Sequence, residues 1–140
     1  DLNMTRFMIS LNQAVDLVWH TISDMSGGEI YVKKIPSMKV IEIAQAIQPD
    51  KEIKVVGIRP GEKIHEQMIG VEDSSTTFEF KDYYKIMPTI IPWSKNKIIK
   101  NSGKAVEKEF LYTSDNNHQW MKKIELLKWI DENRERIGNF

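Results

Sequence analysis

The chain is 140 residues long, 41% hydrophobic and 29% charged, and its 20 basic and 20 acidic side chains leave a formal net charge of zero. That length supports a single domain with a modest core, and the balanced charge argues against a general nucleic-acid binder, which carries a basic excess to neutralise phosphates. Cysteine is absent, which excludes disulfides and thiolate metal sites, and no apolar run approaches a membrane span.

These features fit a cytoplasmic protein. The chain opens at Asp1 and enters the apolar stretch Arg6-Phe7-Met8-Ile9 almost at once, so the expectation is a piece of something longer.

Met4 to Ile9 reads as a short strand. Ser10 then offers an N-cap, completed as a capping box by Gln13. Leu11, Ala14, Val15, Val18, Ile22 and Met25 recur at helical spacing, and Gly27-Gly28 supplies a stop. Glu29 to Val32 reads as a strand, closed by Pro36. Ser37 is expected to cap a second helix whose apolar face is Val40, Ile41, Ile43, Ala44 and Ile47, ended by Pro49.

Ile53 to Ile58 is short and rich in β-branched residues, the pattern of a buried strand. Arg59-Pro60-Gly61 forms a turn at its end, and Glu62 to Ile69 is expected to be a short helix stopped by Gly70. The alternation of strands and helices predicts an α/β or α+β fold, and α/β is the class taken. Residues 71–123 read as loop-rich with short strands, at Thr76 to Phe80 and Tyr83 to Met87. Residues 124–137 read as a final helix, striped by Leu126, Leu127, Ile130 and Ile137 with Trp129 alongside.

Several motifs fail on spacing. Gly57 and Gly61 are separated by three residues, one short of a P-loop, and no Ser or Thr follows Lys63. His65-Glu66 opens like a zinc-protease helix, but position 69 is Ile. His20, His65 and His118 are too scattered to suggest a metal site. There is no strand–glycine turn–helix fingerprint for a dinucleotide and no Tyr-x-x-x-Lys pair.

The informative segment is Gly57-Ile58-Arg59-Pro60-Gly61-Glu62-Lys63-Ile64-His65-Glu66. An arginine on a turn can hold phosphate oxygens through two parallel hydrogen bonds, and a nearby carboxylate can accept from ribose hydroxyls. The same residues also suit a plain surface ion pair and a helix cap. Arg6, in an otherwise apolar strand, needs a partner. A protein carboxylate and a bound phosphate both satisfy the pattern.

Met4-Thr5-Arg6-Phe7, Gly27-Gly28-Glu29-Ile30, Lys34-Ile35-Pro36-Ser37-Met38 and the Gly57–Lys63 segment, followed by Tyr112-Thr113-Ser114-Asp115-Asn116-Asn117-His118-Gln119-Trp120, occur here in one order. Together they resemble the inverting UDP-N-acetylglucosamine 4,6-dehydratases of the extended short-chain dehydrogenase/reductase superfamily, over nearly the whole chain. The resemblance implies the C-terminal, substrate-binding domain of such an enzyme, spanning residues 1–140. Its N-terminal half, with NADP and the catalytic groups, would be missing.

The resemblance further implies that Arg6 and Arg59 clamp the diphosphate of UDP-N-acetylglucosamine, that Glu62 lies near the ribose, and that Thr5, Lys63 and His65 support them. It implies a homo-oligomer for the whole enzyme, a role in bacterial nonulosonic acid or capsule pathways, and an inactive fragment here. Two rivals remain. A capsule-type UDP-N-acetylglucosamine 4-epimerase shares the Arg-Pro-Gly-Glu-Lys turn. A free-standing binding module would use Lys95, Lys97, Lys100 and Lys104 beside Trp93 on an anionic surface.

Overall fold

A computed structural model describes residues 1–89 and 103–137. Trp93, Lys95, Lys97 and Lys100 of the lysine-rich passage lie outside the described residues, as does the side chain of Ile137.

The architecture is mixed α/β, as the alternation predicts, and its contacts group into two compact units. The first unit comprises Asp1–Met8, Pro36–Glu66 and Ser114–Phe140; the second comprises Ile9–Ile35 and Gln67–Thr113.

In the first unit, β1 (Thr5–Phe7) pairs antiparallel with β3 (Ser37–Lys39), setting Arg6 opposite Met38. Ser37 does not cap a helix, which corrects the sequence reading. Its hydroxyl is fully buried and accepts from Asn117 Nδ2 at 2.9 Å, while its backbone bonds Gln119 and Met121 on the far side. The segment 117–121 therefore runs beside β3 and meets its hydrogen-bonding needs.

Helix α2 (Val40–Ile47) starts two residues later than a Ser37 cap would place it, and Glu42 in its first turn complements the helix dipole. Helix α3 (Lys123–Glu132) packs on α2, with Met38, Ala46 and Leu126 forming the core between them. The single final helix of the sequence reading is broken at Asn133, so residues 134–137 form a separate turn, α4 (Arg134–Ile137).

In the second unit, α1 (Leu11–Asp24) carries the full Ser10/Gln13 capping box that the sequence predicts. None of its residues is buried. A four-stranded antiparallel sheet runs in the order β2 (Ile30–Lys33), β6 (Tyr83–Ile86), β5 (Thr77–Glu79), β7 (Lys104–Ala105). A short 3-10 turn over Val71–Thr76 leads into β5.

The sheet carries a cluster of tyrosines and lysines. Lys85 Nζ donates to Asp24 Oδ2 at 2.6 Å, Tyr31 donates to the same oxygen at 2.7 Å, and Lys85 lies over the Tyr31 and Phe80 rings. Burial alone would raise the Asp24 carboxyl, but the hydrogen bonds from Lys85 and Tyr31 outweigh it and hold the group below its usual range. Beside this sheet, β4 (Gln67–Ile69) pairs antiparallel with β8 (Tyr112–Thr113).

Two expectations around the central motif are overturned. Ile53 to Ile58 is exposed, irregular chain and not a buried strand, with Val56 74% exposed. A β-branched run makes a strand only where a neighbour completes its ladder, and no described strand pairs with it. Glu62 to Ile69 is not a helix either. Its last three residues are β4, whose partner β8 lies more than 40 residues away in sequence.

Candidate functional site

Arg59, Pro60, Gly61 and Glu62 form a hydrogen-bonded turn. Glu62 N–H donates to Arg59 O at 3.0 Å, and Arg59 N–H donates back to Glu62 Oε2 at 2.9 Å. Pro60 fits the second position of such a turn, and Gly61, at φ +83°, supplies the left-handed conformation the third position needs. The reciprocal bonds fix the Glu62 carboxylate against the backbone rather than against the Arg59 guanidinium. Arg59 and Glu62 are both exposed, and neither forms an ion pair among the described residues. The surface ion pair that the sequence allowed is therefore absent from the turn, and there is no helix for Glu62 to cap.

Arg6 answers the partner question differently. Its Nη1 donates to Thr5 O at 2.7 Å and Ile64 O at 3.1 Å, Nη2 donates to Lys63 O at 3.1 Å, and Nε faces Glu66 Oε1 at 3.3 Å. Of five guanidinium N–H groups, one on Nη2 is left for another acceptor. Arg6 thus pins the backbone just beyond the Arg59–Glu62 turn. The Lys63 side chain is exposed; its carbonyl is the part that bonds Arg6.

Behind Arg6 lies a buried polar chain. Thr5, only 3% exposed, has its hydroxyl 2.8 Å from His65 Nδ1 and 2.6 Å from Ser114 Oγ. Ser114 is fully buried and exchanges two bonds with Glu66: its N–H donates to Glu66 O, and its Oγ accepts from Glu66 N–H at 2.9 Å. His65 Nε2 faces Asp115 Oδ2 at 3.9 Å.

The structure therefore joins Thr5, Arg6, His65 and the Lys63 backbone into one network. Arg59 and Glu62 form a second group on the adjoining turn, and no hydrogen bond or ion pair links their side chains to Arg6 or His65 among the described residues. Ser114 and Asn117 stand in the tail motif, but the sequence assigns neither of them a place at the site. A small polar residue in a segment that returns to a buried strand was the available signal, and its partners at positions 5 and 37 are too remote for spacing to reveal.

Among the described residues no strand–glycine turn–helix unit of the dinucleotide-binding kind occurs. The glycine-bearing turn at 57–61 leads into β4, not into a helix whose N-terminus would hold a pyrophosphate. No cluster of three metal-ligating side chains occurs among the described residues, and no described helix is long and apolar enough to cross a membrane.

With this geometry in view, comparison with known proteins defines the class. Residues 1–88 match the family model for polysaccharide biosynthesis proteins, and the chain belongs to that family. A UDP-N-acetylglucosamine 4,6-dehydratase (inverting) of Campylobacter jejuni is 43% identical over 94% of this chain and 41% of its own length. A UDP-glucose 4-epimerase of Rickettsia rickettsii is 31% identical over 98% of this chain and 42% of its own length. The X-ray structure of Pen from Bacillus thuringiensis superposes with a TM-score of 0.76 at 27% identity, covering 96% of this chain and 40% of that one. The chain thus spans about two fifths of the length of the curated relatives it matches.

Proposed function

We propose that this chain is the UDP-sugar-binding part of a UDP-N-acetylglucosamine 4,6-dehydratase that inverts C5, serving bacterial nonulosonic (pseudaminic) acid or capsule polysaccharide synthesis. The observation that carries the reading is the Arg59–Glu62 turn, with an exposed guanidinium that forms no ion pair among the described residues beside a carboxylate fixed by one oxygen. Such a guanidinium can donate two parallel N–H bonds to a diphosphate. The second Glu62 oxygen can accept from ribose hydroxyls.

In this reading Arg6 offers its remaining N–H to the same anion while holding the backbone of residues 63–64. Thr5 and His65 support the site from the interior, and Lys63 adds positive charge at its edge. NADP and the groups that carry the chemistry belong to a part of the parent enzyme outside these 140 residues, so the chain alone forms no product. The parent works in the cytoplasm as a homo-oligomer. Its alternative identity is a 4-epimerase, favoured by the epimerase relative.

Calorimetric titration of the chain with UDP and UDP-N-acetylglucosamine tests the reading. Saturable binding that Arg59→Ala weakens about tenfold or more is expected. No binding, or binding indifferent to that substitution, would reject it. Formation of a 4-keto sugar by the chain alone would overturn its inactivity.

A further inference from the structure

We infer that His65 is a positioning residue, locked as the neutral Nε2–H tautomer by a one-way hydrogen-bond chain from the backbone of Glu66 through Ser114 and Thr5. The direction of that chain follows from counting donors. Ser114 Oγ already accepts from Glu66 N–H, and among the described residues the acceptor within reach of its own proton is Thr5 Oγ1, 2.6 Å away. Ser114 is fully buried, so bulk water does not reach that proton.

With the Ser114 proton on Thr5 Oγ1, the Thr5 hydroxyl must donate onward. Its remaining partner is His65 Nδ1, at 2.8 Å. Nδ1 is therefore an acceptor and carries no proton, and the ring's proton lies on Nε2, the edge that faces Asp115. The reverse arrangement, Nδ1–H donating to Thr5 and Thr5 donating to Ser114, leaves the buried Ser114 hydroxyl without an acceptor. That disfavours it by roughly ten- to a hundredfold.

The consequence reaches the anion site, and this part rests on the UDP reading above. The lock ties Thr5 in β1 to residues 65 and 66, immediately beyond the Lys63 and Ile64 carbonyls that seat Arg6. Arg6 and the chain leading from the Arg59–Glu62 turn are thereby held in one register by a ring whose tautomer is set from the inside.

The test is the imidazole nitrogen spectrum of the 140-residue chain, labelled with nitrogen-15 and recorded in mildly alkaline buffer. His65 is expected in the Nε2–H form by at least roughly tenfold over the other tautomer. Thr5→Val, which keeps shape and removes the hydroxyl, should return the ring to a mixture, and Thr5→Ser should retain the lock. A wild-type ring in the Nδ1–H form, or an even mixture, would overturn the inference, and that spectrum needs no variant to fold. UDP affinity is read in parallel, with a loss of roughly fivefold expected in Thr5→Val. A locked ring in a wild-type chain that does not bind UDP would remove the functional reading while leaving the lock in place. A locked ring with UDP affinity unchanged in a folded Thr5→Val chain would remove the positioning role.

Discussion

Asp24 and Lys85 lie 61 residues apart in sequence, and the carboxylate of one receives the ammonium of the other at 2.6 Å. Lys85 is almost wholly buried, with a side chain 7% exposed, whereas Asp24 retains 27% of its surface. Tyr31 donates to the same carboxylate oxygen, so one acceptor ties the last turn of α1 to both β2 and β6.

The pair makes stability depend on acid in a definite sense. The folded-state pKa of Asp24 is depressed, so its contribution is fully present above the unfolded value, near 3.8, and is lost as pH falls through the folded value. Unfolding midpoints should therefore drop as pH is lowered below about 4. Lys85→Met should cost about 2 kcal/mol at neutral pH, less than for a fully buried pair because Asp24 still meets solvent. It should also flatten the acid limb, and denaturant unfolding at a series of pH values reads both effects.

At alkaline pH the tyrosines report on the second unit. All four are shifted upward, chiefly by burial, with Tyr84 pushed up to about 12. A phenol with a raised folded pKa stabilises the fold below its unfolded value, near 10, and that contribution disappears as pH rises through the folded one. Near-ultraviolet absorbance should show little phenolate around pH 10. Ionisation should come together with loss of structure, and a gradual, independent titration of all four rings would contradict the burial described.

The two arginines of the motif should separate in their effects. Arg6→Ala removes the guanidinium bonds to the Thr5, Lys63 and Ile64 carbonyls, of which Ile64 keeps the Thr5 N–H, and should cost about 2 kcal/mol of stability along with any UDP affinity. Arg59→Ala removes an exposed guanidinium that has no ion pair among the described residues and should change stability by no more than about 0.5 kcal/mol. Its cost should fall on ligand affinity, about tenfold or more. Paired chemical denaturation and UDP titration distinguish them.

Gly61 should tolerate replacement poorly for backbone reasons alone. A Cβ there meets open space, but the residue sits at φ +83°. Gly61→Ala should cost about 1 kcal/mol and Gly61→Asn less, since asparagine tolerates the left-handed region. Comparison of the two unfolding curves isolates the conformational term from any steric one.

What the sequence disclosed was what neighbouring residues decide. The Ser10/Gln13 box, the α1 periodicity, the Arg59–Gly61 turn and the β5 and β6 strands all depend on groups a few positions apart. Ser37 looked like a helix cap because its claim on Asn117, 80 residues away, leaves no local mark. Residues 67–69 looked helical for the same reason, their ladder being completed by Tyr112 and Thr113. At the site, the motif pointed to Arg59 and Glu62 as a turn and to Thr5, Arg6 and His65 as its company. The inward-facing half, Ser114 above all, needed three dimensions to be seen.

Helix α1 has a practical consequence for anyone handling the isolated chain. Leu11, Val15, Val18, Trp19 and Ile22 are between 44% and 69% exposed. The formal charge of the chain is zero, with an isoelectric point near 7.0. A greasy ridge on a particle with no net charge has little colloidal repulsion to keep copies apart. Concentrated stocks at neutral pH should turn cloudy, and moving the buffer away from neutrality or replacing Val18 with glutamate should clear them.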